Sequence, residues 1–345
     1  MIYALQTADP KARVLVTVPT HNAVDNMMRR YIQRLQKQPF ARKTQSDLVR
    51  VSTEVRSANY LELQKVVDDL RKYTCNAMAG QEIHSDYKAL KKATEMAKRS
   101  DTIFTICIGA GIGLNCSEFF DIVTVDEASQ QTELSSPVPL VKGCSQAILV
   151  GDHVQLRPTV NQTALALDFD ISLFERLYTK VKHSKGNGVL RALILDTQYR
   201  IHPKLCEFNS GQFYEGRLES GISSSARPPI RSNFPFPPAR VTKQRRDPGT
   251  IDYERAMFIN CDANGPEPES PSHSIVVLTP YTRQAEVLKR MLSSIPYRIE
   301  VSSIDGFQGR EADVIVFVTV RCKEHREIGF LKDMRRMNVA LTRAR

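Results

Sequence analysis

Short apolar runs rich in β-branched residues recur along the chain, and each breaks off into polar or glycine- and proline-containing residues. Six stand out: Val14 to Val18, Thr102 to Ile108, Ile122 to Val125, Ala147 to Val150, Ser274 to Leu278 and Val314 to Val320. Runs of this length and type predict buried parallel strands whose ends open into loops. Between them, Asn22 to Gln36 and Asp86 to Lys98 read as helices. In the second, Tyr87, Leu90, Ala93, Met96 and Ala97 form an apolar stripe opposite lysines. Strands alternating with helices predict an α/β architecture with parallel sheets. Residues 40–100 are charged and poor in strand signals, and read as a helical insertion within the first α/β unit. Two irregular stretches, Ser223 to Pro248 and Asp262 to Ser272, are rich in proline. The first also carries Arg231, Arg240, Lys243, Arg245 and Arg246, which suit either a solvated loop or a nucleic-acid contact.

Composition bounds this picture without changing it. A chain of 345 residues has room for about two domains, and 41% hydrophobic with 25% charged residues is ordinary for a globular protein. Forty-eight Lys and Arg against 38 Asp and Glu leave a formal charge of +10, which points to a polyanionic partner or an anionic substrate. No apolar run approaches the roughly 20 residues of a membrane span, and the opening residues lack a secretory pattern. The seven cysteines are odd in number and irregularly spaced, which argues against a disulfide framework and for a reducing compartment, the cytoplasm or the nucleus. Neither Cys107 with Cys116 nor Cys75 with His84 has the close paired spacing of a zinc site.

The strongest chemical signal is Ile122-Val-Thr-Val-Asp126-Glu127-Ala-Ser, a strand delivering two adjacent carboxylates to its end. In nucleoside-triphosphate hydrolysis one carboxylate holds Mg²⁺, usually through water, while its neighbour orients and deprotonates the attacking water. Read alone, an acidic pair also commonly begins a loop or helix. The next strand runs into Gly151-Asp-His-Val-Gln155-Leu-Arg-Pro158, where Gly151 allows a tight turn and the Gln155 amide can sense a phosphate. Two successive strands ending in such loops converge at one edge of a sheet, where α/β ligand sites form. Gln198-Tyr199-Arg200-Ile-His-Pro203 and Asn338-Val-Ala-Leu-Thr-Arg343-Ala-Arg345 each supply an arginine whose planar donor fork suits a phosphoryl group. An isolated arginine serves a structural ion pair equally well.

Taken in order, Pro19-Thr-His-Asn-Ala-Val-Asp25, Val125-Asp-Glu-Ala-Ser129, Gly151 to Pro158, Gln198 to Pro203, Asp305-Gly-Phe-Gln-Gly-Arg-Glu311 and Asn338 to Ala344 resemble motifs Ia, II, III, IV, V and VI of superfamily 1 helicases. The resemblance is closest to the up-frameshift branch, and it spans nearly the whole chain. It implies two RecA-like P-loop NTPase domains, residues 1–164 and 165–345, the first incomplete and carrying the insertion at about 40–100. It also implies ATP and Mg²⁺ as cofactors and single-stranded nucleic acid, RNA ahead of DNA, as partner. By motif, Asp126 would hold Mg²⁺ through water and Glu127 would activate water. Gln155 would contact the γ-phosphate, and Arg200 and Arg343 would neutralise the transferred group. Tyr199 would stack near adenine, with Glu311 and the Gly309 backbone near ribose and phosphates. Pro19, Thr20, Asn22, Thr279, Pro280 and Ser303 would grip the nucleic-acid backbone, giving weak sequence preference. Lys88, Lys91, Lys92 and Arg283 add charge or form a solvated face.

The sequence contains no Gly-Lys dipeptide, and so none of the usual phosphate-cradling loop, Gly-x-x-x-x-Gly-Lys followed by Ser or Thr. In the family that loop precedes the Pro19 segment, and the family continues beyond motif VI. The chain therefore reads as a core fragment of an ATP-dependent helicase, inactive by itself, with a non-hydrolysing nucleic-acid-binding or scaffold protein as the alternative.

Overall fold

The computed structural model describes residues 1–37, 48–52, 70, 73–76, 87–183, 189–227, 274–295, 299–319 and 333–345. The proline-rich residues 228–248 and 262–272, and much of the stretch 40–100, lie outside the described residues. Two compact units account for the chain: unit 1 comprises Met1–His153 and Arg157–Ala192, and unit 2 comprises Val154–Leu156 and Leu193–Arg345. Among the described residues no helix is long and apolar enough to cross a membrane.

Unit 1 is built on a six-stranded, wholly parallel sheet. Its strands are β1 (Val14–Val18), β2 (Leu48–Ser52), β3 (Thr74–Asn76), β4 (Thr102–Ile106), β5 (Ile122–Val125) and β6 (Gln146–Leu149), in the spatial order β3-β2-β4-β1-β5-β6. In register, Val14 lies opposite Thr102 on one side and Ile122 on the other. All five residues of β1 are buried, and successive side chains go to opposite faces. Leu15 joins Val49, Val51, Ile103, Val123 and Val125 on one face. Val14, Val16 and Val18 join Leu48, Phe104 and Ile122 on the other. Each such aliphatic side chain, fully buried, contributes about 1.5–3 kcal/mol, which is why this strand can sit only in the middle of the sheet.

Helices cover both faces. The second face is closed by α1 (Ile2–Ala8) and α2 (His21–Gln36). Thr20 caps α2 by accepting the Ala23 N–H at 3.3 Å, and Val24, Met28 and Tyr31 form the buried side of that helix. Tyr31 donates to Gln6, and Gln6 donates to Thr102, so a buried polar chain joins α1, α2 and β4. The first face takes α3 (Tyr87–Arg99) through Ala93 and Ala97. Tyr87, expected on the apolar stripe, is 76% exposed, because it sits about 80–120° round the helix from those alanines. Short helices α4 (Pro137–Leu140) and α5 (Gln162–Leu165) precede α6 (Leu173–His183). A double ion pair fixes the start of α6: Arg157 reaches Glu175 at 2.5 Å and Asp170 at 2.9 Å.

The stretch read as a helical insertion holds two strands of the sheet, β2 and β3, as well as α3. β2 was concealed by Arg50, a charge in the middle of an apolar strand. Arg50 is among the largest fully buried side chains, and its Nε donates to Asp25 of α2 at 2.5 Å. The pair pins α2 to the sheet. In β3 the residues Thr-Cys-Asn are too few and too polar to signal a strand.

Unit 2 contains the two-residue parallel pair β7 (Thr197–Gln198) and β8 (Glu219–Ser220) flanking α7 (Pro203–Phe213). A second parallel sheet has the order β10-β9-β11, from β9 (Ile275–Thr279), β10 (Ile299–Ser303) and β11 (Val314–Phe317). Val277 packs with Ala285 of α8 (Thr282–Leu292) and Val301. On the other side Val276 and Leu278 meet Phe307 and Ala312. Helix α9 (Met334–Leu341) adds Val339 and Ala340, packed with Leu156 and Ile304.

Replacing Arg50 by Ala leaves the Asp25 carboxylate buried without its partner, and the expected loss is about 3–5 kcal/mol, measured by chemical denaturation. The double variant Arg50→Met/Asp25→Leu should recover most of it; a single variant as stable as wild type would contradict the role given to this pair.

Candidate functional site

Because every strand of unit 1 points the same way, the loops after β1, β4, β5 and β6 gather at one carboxyl edge. The Asp126 N–H donates to Thr17 O at 2.9 Å, holding the turn after β5 against β1. Glu127 follows in the left-handed region, φ 50° and ψ 39°, a conformation that costs a non-glycine residue roughly 1–2 kcal/mol. The surroundings impose it. Ala128 and Ser129 are buried, and the Ala128 N–H donates to Val150 O at 2.8 Å. Gln130 then closes a one-turn ring, its backbone N–H donating to Glu127 O at 2.9 Å and its amide to Glu127 Oε2 at 2.8 Å.

Gly151, at the end of β6, packs against this turn. A Cβ there would lie 2.9 Å from Ser129 N and 3.3 Å from Ala128 N, so only glycine permits the approach. The Asp152 N–H adds a 3.4 Å bond to Ser129 Oγ. Burial pushes the Asp126 carboxyl above the usual carboxylate range, partly offset by the Glu127 N–H and the charge of Arg30. A buried carboxylate raised in this way gains from a cation. Among the described residues no cluster of three or more His, Cys, Asp or Glu could hold a metal. Asp126 is the desolvated carboxylate that this edge offers to a hard cation.

Within unit 2 the predicted residues form two linked groups. Arg343, 3% exposed, donates through Nε to Val339 O at 3.0 Å and through Nη1 to Arg310 O at 3.4 Å. Its Nη2 donates to Thr342 Oγ1 at 3.0 Å and to Gln155 Oε1 at 3.3 Å. Gln155 and Arg343 therefore touch. Arg200 is half-exposed and pairs with Glu311 Oε2 at 2.6 Å, while Arg345 holds Oε1 at 3.0 Å. Burial pushes the Glu311 carboxyl up, but Arg200 and Arg345 outweigh it and hold the group below its ordinary range. Tyr199 is 67% exposed, its ring lying over Gly221, where any Cβ would collide with it. Gly309 turns the chain at φ 73°, and Arg310 covers the Phe307 ring at 4.6 Å while gripping Glu300 at 2.6 and 2.7 Å.

Of the expected nucleic-acid contacts, Pro19, Thr20 and Asn22 lie at the end of β1 and the start of α2, with Thr20 and Asn22 exposed. Thr279 and Pro280 end β9 and Ser303 ends β10, so these three share a carboxyl edge in unit 2. Thr279 is fully buried, and its hydroxyl accepts the Tyr281 N–H at 3.4 Å. Ser303 Oγ accepts the Gly306 N–H at 3.1 Å. Sequence reasoning passed over Gln130, Ser129 and Arg345, which hold Glu127, the Gly151 loop and Glu311. Only Gln130 carried a signal, its spacing of three from Glu127 across a tight turn.

Models of the AAA domain match residues 74–163 and, in a second model, residues 169–272 and 254–345. A Drosophila melanogaster protein named regulator of nonsense transcripts 1 homolog is 34% identical over 96% of this chain and 30% of its own length. The ATP-dependent helicase NAM7 of Saccharomyces cerevisiae is 36% identical over 74% of this chain and 27% of its own. The chain thus spans under a third of these relatives. Among solved structures, an arterivirus nonstructural protein 10 helicase in complex with DNA aligns over 99% of this chain and 55% of its own, with a TM-score of 0.44 and 14% identity.

The depressed Glu311 value fixes the sign of a pH effect. Its contribution to unit 2 is present above the ordinary carboxylate range and is lost as pH falls through the lower folded value. At about pH 7 Glu311→Gln should lower stability by about 1 kcal/mol or less, as half-exposed pairs do. In thermal melts the gap from wild type should narrow as the pH falls below the ordinary carboxylate range; a gap independent of pH would contradict the pairing.

Proposed function

Because this chain belongs to the up-frameshift-like branch of the superfamily 1 helicases, we propose that it works as the core of a motor that hydrolyses ATP and moves along single-stranded nucleic acid, RNA ahead of DNA. The observation that carries the reading is the turn after β5. There Asp126 is desolvated and Glu127 is held in a strained left-handed conformation by its buried neighbours. Strain maintained at an acidic pair on the carboxyl edge of a parallel sheet is the mark of a working site.

In this reading Asp126 would hold Mg²⁺ through water, and the cation would supply positive charge to the phosphate oxygens. Glu127, oriented by the Gln130 amide, accepts the proton of the attacking water. Arg200, already oriented by Glu311, offers its guanidinium to the phosphoryl group. Arg343 can do so only by exchanging internal hydrogen bonds, of which the 3.3 Å contact with Gln155 is among the longest. That contact makes Gln155 and Arg343 a coupled pair, so a phosphate that attracts one repositions the other. The exposed Tyr199 ring offers a face to adenine, and the Gly309 turn and Glu311 lie with the ribose and phosphates. Pro19, Thr20, Asn22, Pro280 and Ser303 track the nucleic-acid backbone, with Thr279 supporting the last turn of β9 from within. The absence of a Gly-Lys dipeptide favours a second reading for these 345 residues alone, strand binding without hydrolysis.

Strand-stimulated ATP hydrolysis separates the two when measured on the chain and on the chain extended at its amino end by a phosphate-cradling Gly-x-x-x-x-Gly-Lys-Thr segment. The motor reading expects a rate in the extended form that falls about 100-fold or more in Glu127→Gln, with the ATP KM little changed. An equal rate in Glu127→Gln would remove the role given to that residue. Tight, salt-sensitive strand binding with no hydrolysis in either form would establish the second reading.

A further inference from the structure

Helix α3 carries a basic face that lies outside the site described above. Lys88, Lys91, Lys92, Lys98 and Arg99 are all exposed, and at 3.6 residues per turn they fall within an arc of about 120°. Ala93 and Ala97, on the opposite side, are buried against the sheet. Glu95 is the acidic residue of the helix, and it lies inside the arc. Lys98 and Arg99 stand in the last turn, where cations suit the helix dipole. Lys88, Lys91 and Lys92 have no such reason: the first turn holds no acidic residue, and like charges three and four positions apart weaken a helix. Tyr87 stands 76% exposed at the border of the arc, four residues before Lys91. The crossover from β3 to β4 requires α3 to run antiparallel to the strands. Tyr87 and Lys88 therefore lie toward the carboxyl edge, on the unit that presents Thr20 and Asn22 there.

We propose that the basic arc of α3, with Tyr87 at its end, is a second track for single-stranded nucleic acid, extending the backbone contacts of the carboxyl edge along the flank of unit 1. The inference rests on the strand-binding part of the function proposed above. Cations on one helical face meet successive phosphates, and an exposed aromatic ring beside them stacks on a base. Stacking is what distinguishes this occupant from an acidic protein surface, which would use the lysines and leave Tyr87 idle.

Fluorescence anisotropy of the full chain with a labelled single-stranded oligonucleotide, titrated between about 50 and 200 mM salt, tests this. Lys88→Gln/Lys91→Gln/Lys92→Gln should weaken binding and flatten the log–log salt slope by about two, three phosphates at about 0.7 each. Tyr87→Ala should weaken binding at least about fivefold with the slope kept, and Glu95→Gln should strengthen it. Melting curves confirm that the variants fold, since the substituted side chains are exposed. Affinity and slope equal to wild type in the triple variant, while Asn22→Ala weakens binding, would overturn the track and leave the edge site standing. A chain that binds no strand at low salt overturns both. Equal loss of binding to poly-glutamate and to the oligonucleotide, with Tyr87→Ala silent, overturns the nucleic-acid track in favour of an acidic partner.

Discussion

Parallel pairing throughout the sheet of unit 1 is the constraint from which the candidate site follows. A parallel strand returns to the amino edge by a crossover, so what each strand delivers accumulates at the carboxyl edge. The backbone then sets the local geometry. Val150 N–H reaches Val125 O at 2.8 Å, and Ala128 N–H reaches Val150 O at 2.8 Å. These bonds draw the loops after β5 and β6 so close that only glycine fits at position 151. With the two loops locked, Glu127 is held in the left-handed region.

Burial supplies the electrostatics. In Arg50 with Asp25 the ionic partners face each other in the core, and the pair locates α2, whose first turn begins the exposed Thr20–Asn22 segment. Asp126 lacks so close a cationic partner and is pushed toward its protonated form. Glu311 sits between two arginines and is pushed the other way. Asp126 and Glu311 are thus pushed in opposite directions, and the difference follows from what stands next to each.

How much of this the sequence discloses depends on which force decides an element. Strands β1, β4, β5 and β9 are driven by apolar burial, which β-branched runs announce to within a residue or two, whereas β6 and β11, read from the same kind of run, hold no fully buried residue. β2 is held by apolar burial together with an ion pair whose second member lies 25 positions away, and Arg50 hides it. β10 alternates with polar residues and is half-buried, and β7, β8 and β3 are too short to have a period. The chemical residues were legible as motifs because their types are restricted by chemistry. Their supports were not, since Gln130, Ser129 and Arg345 act through hydrogen bonds that any polar residue could in principle make. The contact between Gln155 and Arg343 joins positions 188 apart and has no local signature. Nor does the burial of Thr279, which the strand end conceals.

In the function proposed above, the strained turn after β5 is where a nucleotide's phosphates are worked upon. A crystal structure of the protein, extended at its amino end by a phosphate-cradling Gly-x-x-x-x-Gly-Lys-Thr segment, with Mg²⁺ and a non-hydrolysable ATP analogue is the decisive measurement. The expected result is Asp126 facing the cation through water, and the Glu127 carboxylate within about 2.6–3.2 Å of a water in line with the terminal phosphate. A nucleotide bound away from the carboxyl edge, or Glu127 relaxed out of its left-handed conformation and turned from the phosphate, would contradict it.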